Sequence, residues 1–335
     1  MSTKLLDQIK QKKKLVESYQ PLSSEVINNL NNWFRVELTY SSNAIEGNTL
    51  SRIETSQVME KGLAIPGKSL NEHLEVAGHA KAYDWILENS PKTPKKITVD
   101  TVLNIHRMIL ERIDPQNAGR LRSMSVRIAG SRAIMPNPAK VPKLMNDFIK
   151  WLHDSGPASP TLAANAHYKL VSIHPFVDGN GRTARLLMNL ILLQAGYPPA
   201  IIQPEERIKY LESLEKAQLG GSLQNYYQII YEAINNSLDV YVDAIENKKE
   251  SPVINASKKQ ELMKIGELAA KTDEAVSTIR YWTQEGLLKV AGHTQGGYQL
   301  YKESEIERVK EIRRLQQEAR LTIKEIKGKL LEKNR

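Results

Sequence analysis

A histidine, a carboxylate, a glycine-rich turn and two arginines fall within twelve residues of this chain, His174-Pro175-Phe176-Val177-Asp178-Gly179-Asn180-Gly181-Arg182-Thr183-Ala184-Arg185. Behind them, Leu186-Leu187-Met188-Asn189-Leu190-Ile191-Leu192-Leu193 reads as a buried helix ending near Gly196. The Gly-Asn-Gly turn therefore sits at a helix start, where free N–H groups and the positive end of the dipole attract an anion. Gly179 and Gly181 let the backbone close around a phosphate. Arg182 and Arg185 lie three apart on one helical face and can fork onto further phosphate oxygens. Asp178 can hold a magnesium ion bridging two phosphates. His174 can take a proton from an attacking hydroxyl. This is chemistry for phosphoryl or nucleotidyl transfer from a nucleoside triphosphate.

The stretch resembles the Fic-domain motif H-P-F-x-[DE]-G-N-G-R-x-x-R and matches it at every specified position. The resemblance implies transfer of AMP from ATP to a Tyr, Ser or Thr hydroxyl of a target protein or of the chain itself. It implies that His174 deprotonates the target and that Asp178 holds Mg2+ against the α- and β-phosphates. Gly179, Asn180 and Gly181 would form the anion hole, with Arg182 on the β/γ-phosphates and Arg185 on the γ-phosphate. Thr183 and Ala184 complete the nucleotide-binding stretch, and Phe176 would pack behind the loop.

Far upstream, Ser42-Asn43-Ala44-Ile45-Glu46-Gly47 resembles the Fic inhibitory pattern [ST]-x-x-x-E-[GN]. In a helix over about 38–47, Ser42 and Glu46 are i,i+4 neighbours and Gly47 is the C-terminal cap. The resemblance implies that Glu46 pairs with Arg185, enters the nucleotide site and holds ATP unproductively. In some members the equivalent glutamate also supports removal of AMP. Gly119-Arg120-Leu121-Arg122, Val126–Gly130 and Ala133–Pro136 read as a short β-hairpin and resemble the Fic flap, which pairs with an extended target segment. Glu206–Leu211 resembles the helix that supplies an aromatic beside adenine, with Tyr210 as the candidate for that position and equally a core tyrosine.

The elements that must position these groups are helical. The expected fold is all-α, a Fic helical core with a β-hairpin flap, followed by a small winged helix-turn-helix. The expected divisions are an N-terminal helical region over 1–90, the Fic core over 91–245, a linker over 246–260 and the C-terminal domain over 261–335. His106, His153 and His167 read as structural helix residues. Tyr226, Tyr227 and Tyr231 are candidates for self-modification and equally for the core.

The C-terminal segment carries Ile265-Gly266-Glu267-Leu268-Ala269, Thr278-Ile279-Arg280-Tyr281-Trp282, Glu285-Gly286-Leu287-Leu288 and Gly297-Tyr298-Gln299-Leu300-Tyr301. This order resembles the head of MerR-family regulators, whose second helix enters the major groove. From Ser257 onward 17 Lys+Arg stand against 12 Asp+Glu, a basic excess suited to DNA. Arg280, Lys289 and Lys302 are the candidate phosphate contacts or equally solvated charges, and the competing reading of this domain is a module for dimerisation or target docking. Gln299 stands where that family's wing carries an arginine.

The 335 residues contain no cysteine, which excludes disulfides and thiolate metal sites. Met1-Ser2-Thr3-Lys4-Leu5-Leu6 does not read as a signal peptide, and no apolar run reaches spanning length. A cytoplasmic protein without membrane association is expected, and a homodimer by family resemblance. The competing reading is a nucleotide-sensing transcriptional regulator that binds DNA through its C-terminal domain. The intact His174 and Asp178 favour the enzyme.

Overall fold

The computed structural model describes residues 2–90, 93–249, 262–272, 274–293, 299–317, 321 and 323–332. The chain divides into two units, residues 1–251 and 252–335. The described residues of the first form ten α-helices: α1 (Ser2–Ser18), α2 (Ser24–Ile45), α3 (Arg52–Lys61), α4 (Leu70–Asn89), α5 (Val99–Leu110), α6 (Val141–Asp154), α7 (Pro160–Ile173), α8 (Asn180–Gln194), α9 (Arg207–Gln218) and α10 (Gln224–Lys249).

Local chemistry sets the ends of these helices. Ser51 and Ser69 open α3 and α4 with reciprocal capping boxes to Glu54 and Glu72, satisfying N–H groups that a helix start leaves open. Gly62 closes α3 in the left-handed region. α8 lies at the centre, against α7, α4 and α5, with Leu186, Leu187, Met188 and Ile191 all 0% exposed. Each such side chain contributes about 1.5–3 kcal/mol by leaving water. The helix that carries both motif arginines is therefore held rigidly. The inhibitory pattern ends a helix of 22 residues, much longer than the expected 38–47, because Val26, Leu30, Phe34 and Leu38 continue its buried stripe toward the N-terminus.

Two expectations need correction. The segment 119–136 forms no paired strands. It turns at Ile128–Ser131, where the Ser131 N–H donates to the Ile128 carbonyl at 3.1 Å. Its arms bond elsewhere: the Arg132 N–H donates to Glu215 at 2.6 Å and the Arg122 guanidinium takes the carbonyls of Met124 and Pro136. These side-chain partners replace a cross-strand ladder. The expected linker start at 246 is also too early, since α10 runs to Lys249. Glu246-Asn247-Lys248-Lys249 contains no helix breaker, and the rest of that linker lies outside the described residues.

In the second unit, β1 (Met263–Lys264), α11 (Ile265–Thr272), α12 (Val276–Gln284), β2 (Gly292–His293), β3 (Gln299–Tyr301), α13 (Ser304–Gln317) and α14 (Ile323–Glu332) follow in order. β3 pairs antiparallel with both β1 and β2. Met263 begins this sheet rather than α11. Leu268, Ile279, Trp282, Tyr301, Ile312 and Ile326 form the core, and Arg313 covers the Trp282 ring while pairing with Glu274. The expected wing residues Gly296, Gly297 and Tyr298 lie outside the described residues. No helix among the described residues is long and apolar enough to cross a membrane.

Candidate active site

The site begins where α7 ends. His174 caps that helix at φ 51°, ψ 60°, the one non-glycine with positive φ among the described residues. A β-carbon there costs about 1–3 kcal/mol, so the surroundings must impose the conformation. Arg122 does so. It is only 4% exposed; its Nε donates to the His174 carbonyl at 2.7 Å and its backbone N–H to the Pro175 carbonyl at 2.9 Å. Its remaining donors hold Met124 O at 2.9 Å and Pro136 O at 2.6 Å, tying the overlying loop to the histidine. Sequence reasoning missed this residue, because nothing local distinguishes it from Arg120.

His174 Nδ1 lies 3.4 Å from the Val171 carbonyl. A carbonyl only accepts, so Nδ1 carries the proton and Nε2 keeps its lone pair. Burial pulls this imidazole below its ordinary pKa, which keeps the base neutral.

The motif loop closes on itself. Asn180 accepts from the Phe176 N–H and donates to the Phe176 carbonyl, both at 2.9 Å. Its side chain is therefore spent on shaping the loop, and only its N–H remains for an anion. Phe176 stacks on His106 at 3.6 Å between centroids. The Gly119 N–H donates to His106 Nδ1 at 2.9 Å, so Nε2–H must donate to the Asp178 carbonyl at 3.0 Å. Burial draws the His106 pKa down to about 4 and keeps the ring neutral. A residue read as merely structural thus carries the backbone of Asp178.

α8 starts without a side-chain cap, on Gly179 at φ 75°. Its first backbone bond runs from Thr183 N–H to Gly179 O at 3.0 Å, so the N–H groups before it are free to meet an anion. Thr183 and Ala184 are fully buried, and their side chains do not line the pocket. A β-carbon on Gly181 would strike the Glu46 carboxylate and come within 3.0 Å of Arg185 Nη1.

Both arginines are engaged by opposite charges. Arg182 Nη1 meets Glu75 at 3.1 Å and Nη2 meets Asp178 at 3.0 Å, while its buried Nε has no partner among the described residues. Glu75 also accepts from Asn48 at 2.9 Å, two residues beyond Glu46. Neither Glu75 nor Asn48 was singled out from the sequence. Arg185 donates to Ser42 Oγ at 3.0 Å, to Ser42 O at 2.9 Å and to Glu46 Oε1 at 2.7 Å. α2 ends at Ile45, with Glu46 as its cap residue and Gly47 following at φ 103°. Burial pushes the Glu46 pKa up, but Arg185, Arg182 and Arg207 outweigh it and hold the carboxyl below its ordinary range. Arg207 Nε also donates to the Ile45 carbonyl at 2.5 Å, a cation on a helix C-terminus.

These groups share one cavity of about 380 Å³, within the range of small-molecule sites. Glu46, His174, Gly181, Arg185, Arg207 and Tyr210 line it. The candidate adenine platform, Tyr210, lines this cavity with little exposed surface. Tyr210 is 1% exposed and its hydroxyl bonds His167 at 2.8 Å, whereas Ile208 and Leu211 line the same cavity at 66% and 40% exposure. Positions 208 and 211 share the more exposed face of α9, while Tyr210 reaches the same cavity from its buried side. Tyr226 and Tyr231 are also buried, which makes them core residues rather than modification sites. In the second unit Arg280, Lys289 and Lys302 are all exposed.

Residues 96–192 match the Fic/DOC family, and residues 263–333 match the MerR HTH family regulatory protein. The chain is 41% identical over 206 residues to a protein adenylyltransferase Fic from Nematostella vectensis, covering 61% of this chain and 48% of that protein. It thus spans about half the length of that relative. Fic-1 from C. elegans, over the segment of known structure, superimposes with TM-score 0.66 at 34% identity, covering 74% of this chain and 73% of that one. A Fic domain containing signaling protein from Bacteroides thetaiotaomicron gives TM-score 0.66 at 28% identity over 72% of this chain and 98% of that one. The motif, the helical fold and these likenesses together make the chain a member of the Fic/DOC family.

Proposed function

We propose that the chain is an autoinhibited protein adenylyltransferase that moves AMP from ATP to a hydroxyl side chain of a target protein, or of itself. The observation that carries this reading is the Glu46 carboxylate seated on Arg185, in one cavity with His174 and the open start of α8. His174 Nε2 takes the target's hydroxyl proton. The oxygen then attacks the α-phosphorus, and the β,γ-diphosphate leaves opposite. N–H groups of Gly179, Asn180 and Gly181 and the guanidiniums of Arg182 and Arg185 meet the charge that develops on the phosphates, pre-aligned for in-line displacement.

Asp178 fits a magnesium ligand. Its side chain is 69% exposed, and only Oδ2 is engaged, so the other oxygen is open to a cation that also takes phosphate oxygens. The ion would neutralise phosphate charge. Glu46 withholds Arg185 from the γ-phosphate, and a water-directed role for it in removing AMP belongs to the same proposal. The curated relatives named protein adenylyltransferase Fic support the reaction class.

The test is incubation with ATP labelled at the α-phosphate and Mg2+, comparing wild type, Glu46→Gly and Glu46→Gly/His174→Ala. Protein labelling is expected in Glu46→Gly, low in wild type and absent in the double variant. An unlabelled Glu46→Gly protein, with lysate as target, overturns the reading in favour of a nucleotide sensor. We further propose that the second unit binds DNA through α12, on the strength of its match to the MerR HTH family and of exposed Arg280, Lys289 and Lys302. Retarded migration of duplex DNA that weakens as salt rises checks this. Dimerisation is part of the same proposal, and sedimentation equilibrium decides it.

A further inference from the structure

His106 belongs to neither motif, yet it grips the phosphate cradle where loop becomes helix. It sits in α5, 0% exposed, with its ring flat on Phe176 at 3.6 Å between centroids and 3° between planes. Its two nitrogens are spent in different directions. Nδ1 accepts from the Gly119 N–H at 2.9 Å, so the proton stands on Nε2 and is donated to the Asp178 carbonyl at 3.0 Å.

That second bond holds one end of the 178–179 peptide. The peptide is trans and planar, so its carbonyl and its N–H point opposite ways. Keeping the Asp178 carbonyl on the ring turns the Gly179 N–H away from the ring, among the open groups that begin α8. Without a β-carbon, Gly179 at φ 75° could also adopt negative φ at little cost, and the peptide could turn over. Turned over, it would show a carbonyl to a bound phosphate in place of an N–H. Glycine is nonetheless required here, since a β-carbon would lie 3.2 Å from His106 Cδ2 and 3.3 Å from Nε2. The ring thus removes a freedom that its own closeness imposes. Its other bond reaches Gly119, at the root of the overlying loop whose Arg122 holds the carbonyls of His174 and Pro175. Two side chains from outside the motif therefore fix the motif backbone at both ends of its turn.

We infer that His106 is the positioning residue of the anion hole, locking the 178–179 peptide so that the Gly179 N–H is offered to phosphate. The role of that N–H rests on the adenylyltransferase reading, but the test needs no transfer. In the full chain carrying Glu46→Gly, a non-hydrolysable ATP analogue is titrated calorimetrically, and adenosine by competition, with and without two replacements. His106→Asn keeps an acceptor near the place of Nδ1 and loses the donor to Asp178. His106→Gln keeps a donor near the place of Nε2 and loses the acceptor for Gly119. Both should melt below the parent, since each loses the stacked ring. His106→Asn is expected to weaken the analogue about tenfold or more, as for a lost hydrogen bond to a charged group, and His106→Gln less than about threefold. Adenosine, which brings no phosphate, should change by less than about twofold in either. Equal weakening of the analogue by both replacements, or of both ligands by His106→Asn, shows a merely structural ring and overturns the inference. An unchanged analogue affinity in His106→Asn does the same. If these chains melt before titration, Phe176→Leu carries the test, since it removes the face that steadies the ring and spares both nitrogens. It should shift the analogue-to-adenosine ratio in the same sense by less, and an unchanged ratio overturns the inference. The expected pattern in a chain that labels no protein refutes the transferase reading alone.

Discussion

Replacing Glu46 tests the inhibitory contact most directly, and the structure sets the size of the effect. The pair closes at 2.7 Å, with the Arg185 side chain 3% exposed and that of Glu46 38% exposed. A hydrogen bond to a charged group contributes about 1.5–3 kcal/mol. Solvent on the open side of Glu46 screens this one, so the lower part of that range applies, about 2 kcal/mol. That energy is a population factor of about 30 between held and released Arg185. Glu46→Gly should therefore label protein about 30-fold faster than wild type at saturating ATP. Glu46→Gln keeps the shape and an acceptor oxygen but not the charge, and should fall between the two, about fivefold above wild type. The assay is the initial rate of α-phosphate incorporation at fixed target concentration. Without nucleotide, Glu46→Gly should melt about 3–6 °C below wild type, and ATP should restore part of the difference. Equal rates in wild type and Glu46→Gly would refute the reasoning. So would a Gln variant as silent as wild type, since charge would then not be the hold.

Gly181→Ala puts a methyl group where the Glu46 carboxylate sits, close to Arg185 Nη1. It should displace the inhibitor and also weaken ATP binding at least tenfold by closing the cradle, giving a calorimetrically weak and inactive protein. Arg122→Ala removes the donors that hold the left-handed His174 and both arms of the overlying loop. In the Glu46→Gly background, kcat should fall about 10–100-fold with ATP affinity nearly unchanged, and a proportional loss of both would show a general folding defect instead. The pH–rate profile of Glu46→Gly should keep its activity below pH 6.5, because burial lowers the His174 pKa from that ordinary value. The base is competent above its own lowered pKa and is lost only as pH falls through it, so an acid limb centred at or above 6.5 would contradict the neutral-imidazole assignment.

Legibility from sequence followed the range of the interaction. The start of α8 could be read because a Gly-Asn-Gly turn ahead of a continuous apolar run fixes a helix N-terminus by local chemistry. The Ser42–Glu46 pair could be read because i,i+4 spacing places both on one face. The partners of those groups could not. Arg122 reaches 52 residues to His174, and Glu75 reaches 107 to Arg182, and neither has a local signature. Tyr210 falls in the expected helix and lines the cavity, but most of its ring is buried. An aromatic near a pocket is a common feature, and only packing against His167 shows which way it turns. The flap failed as a hairpin for a related reason: its alternation is genuine, but Glu215 and Arg122 claim the backbone groups that a ladder needs.

If the proposed function holds, the cradle's charges explain why Asp178 serves the reaction while Glu46 opposes it. Each motif arginine rests against an internal carboxylate, Arg182 against Asp178 and Arg185 against Glu46. On the proposed reading, phosphate oxygens would take Arg182 and Asp178 would hold a magnesium ion, so both halves of that pair would find new opposite charges. Arg182 also pairs with Glu75. No such exchange exists for the other pair. If the γ-phosphate takes Arg185, the Glu46 carboxylate is left beside a polyphosphate, with Arg207 as the one further cation that both lines the cavity and lowers the Glu46 pKa. Like-charge repulsion in a partly desolvated pocket then disfavours the productive pose. On the proposed reading, inhibition follows from an exchange of partners that balances at one arginine and fails at the next, one helical turn away. Arg207→Ala should deepen this effect by removing the remaining cavity-lining cation that acts on Glu46. In ATP titrations of the Arg207→Ala chain, affinity should fall while Glu46 is present and should recover on adding Glu46→Gly. An equal loss in both backgrounds would show that Arg207 binds nucleotide directly and that the exchange argument is wrong.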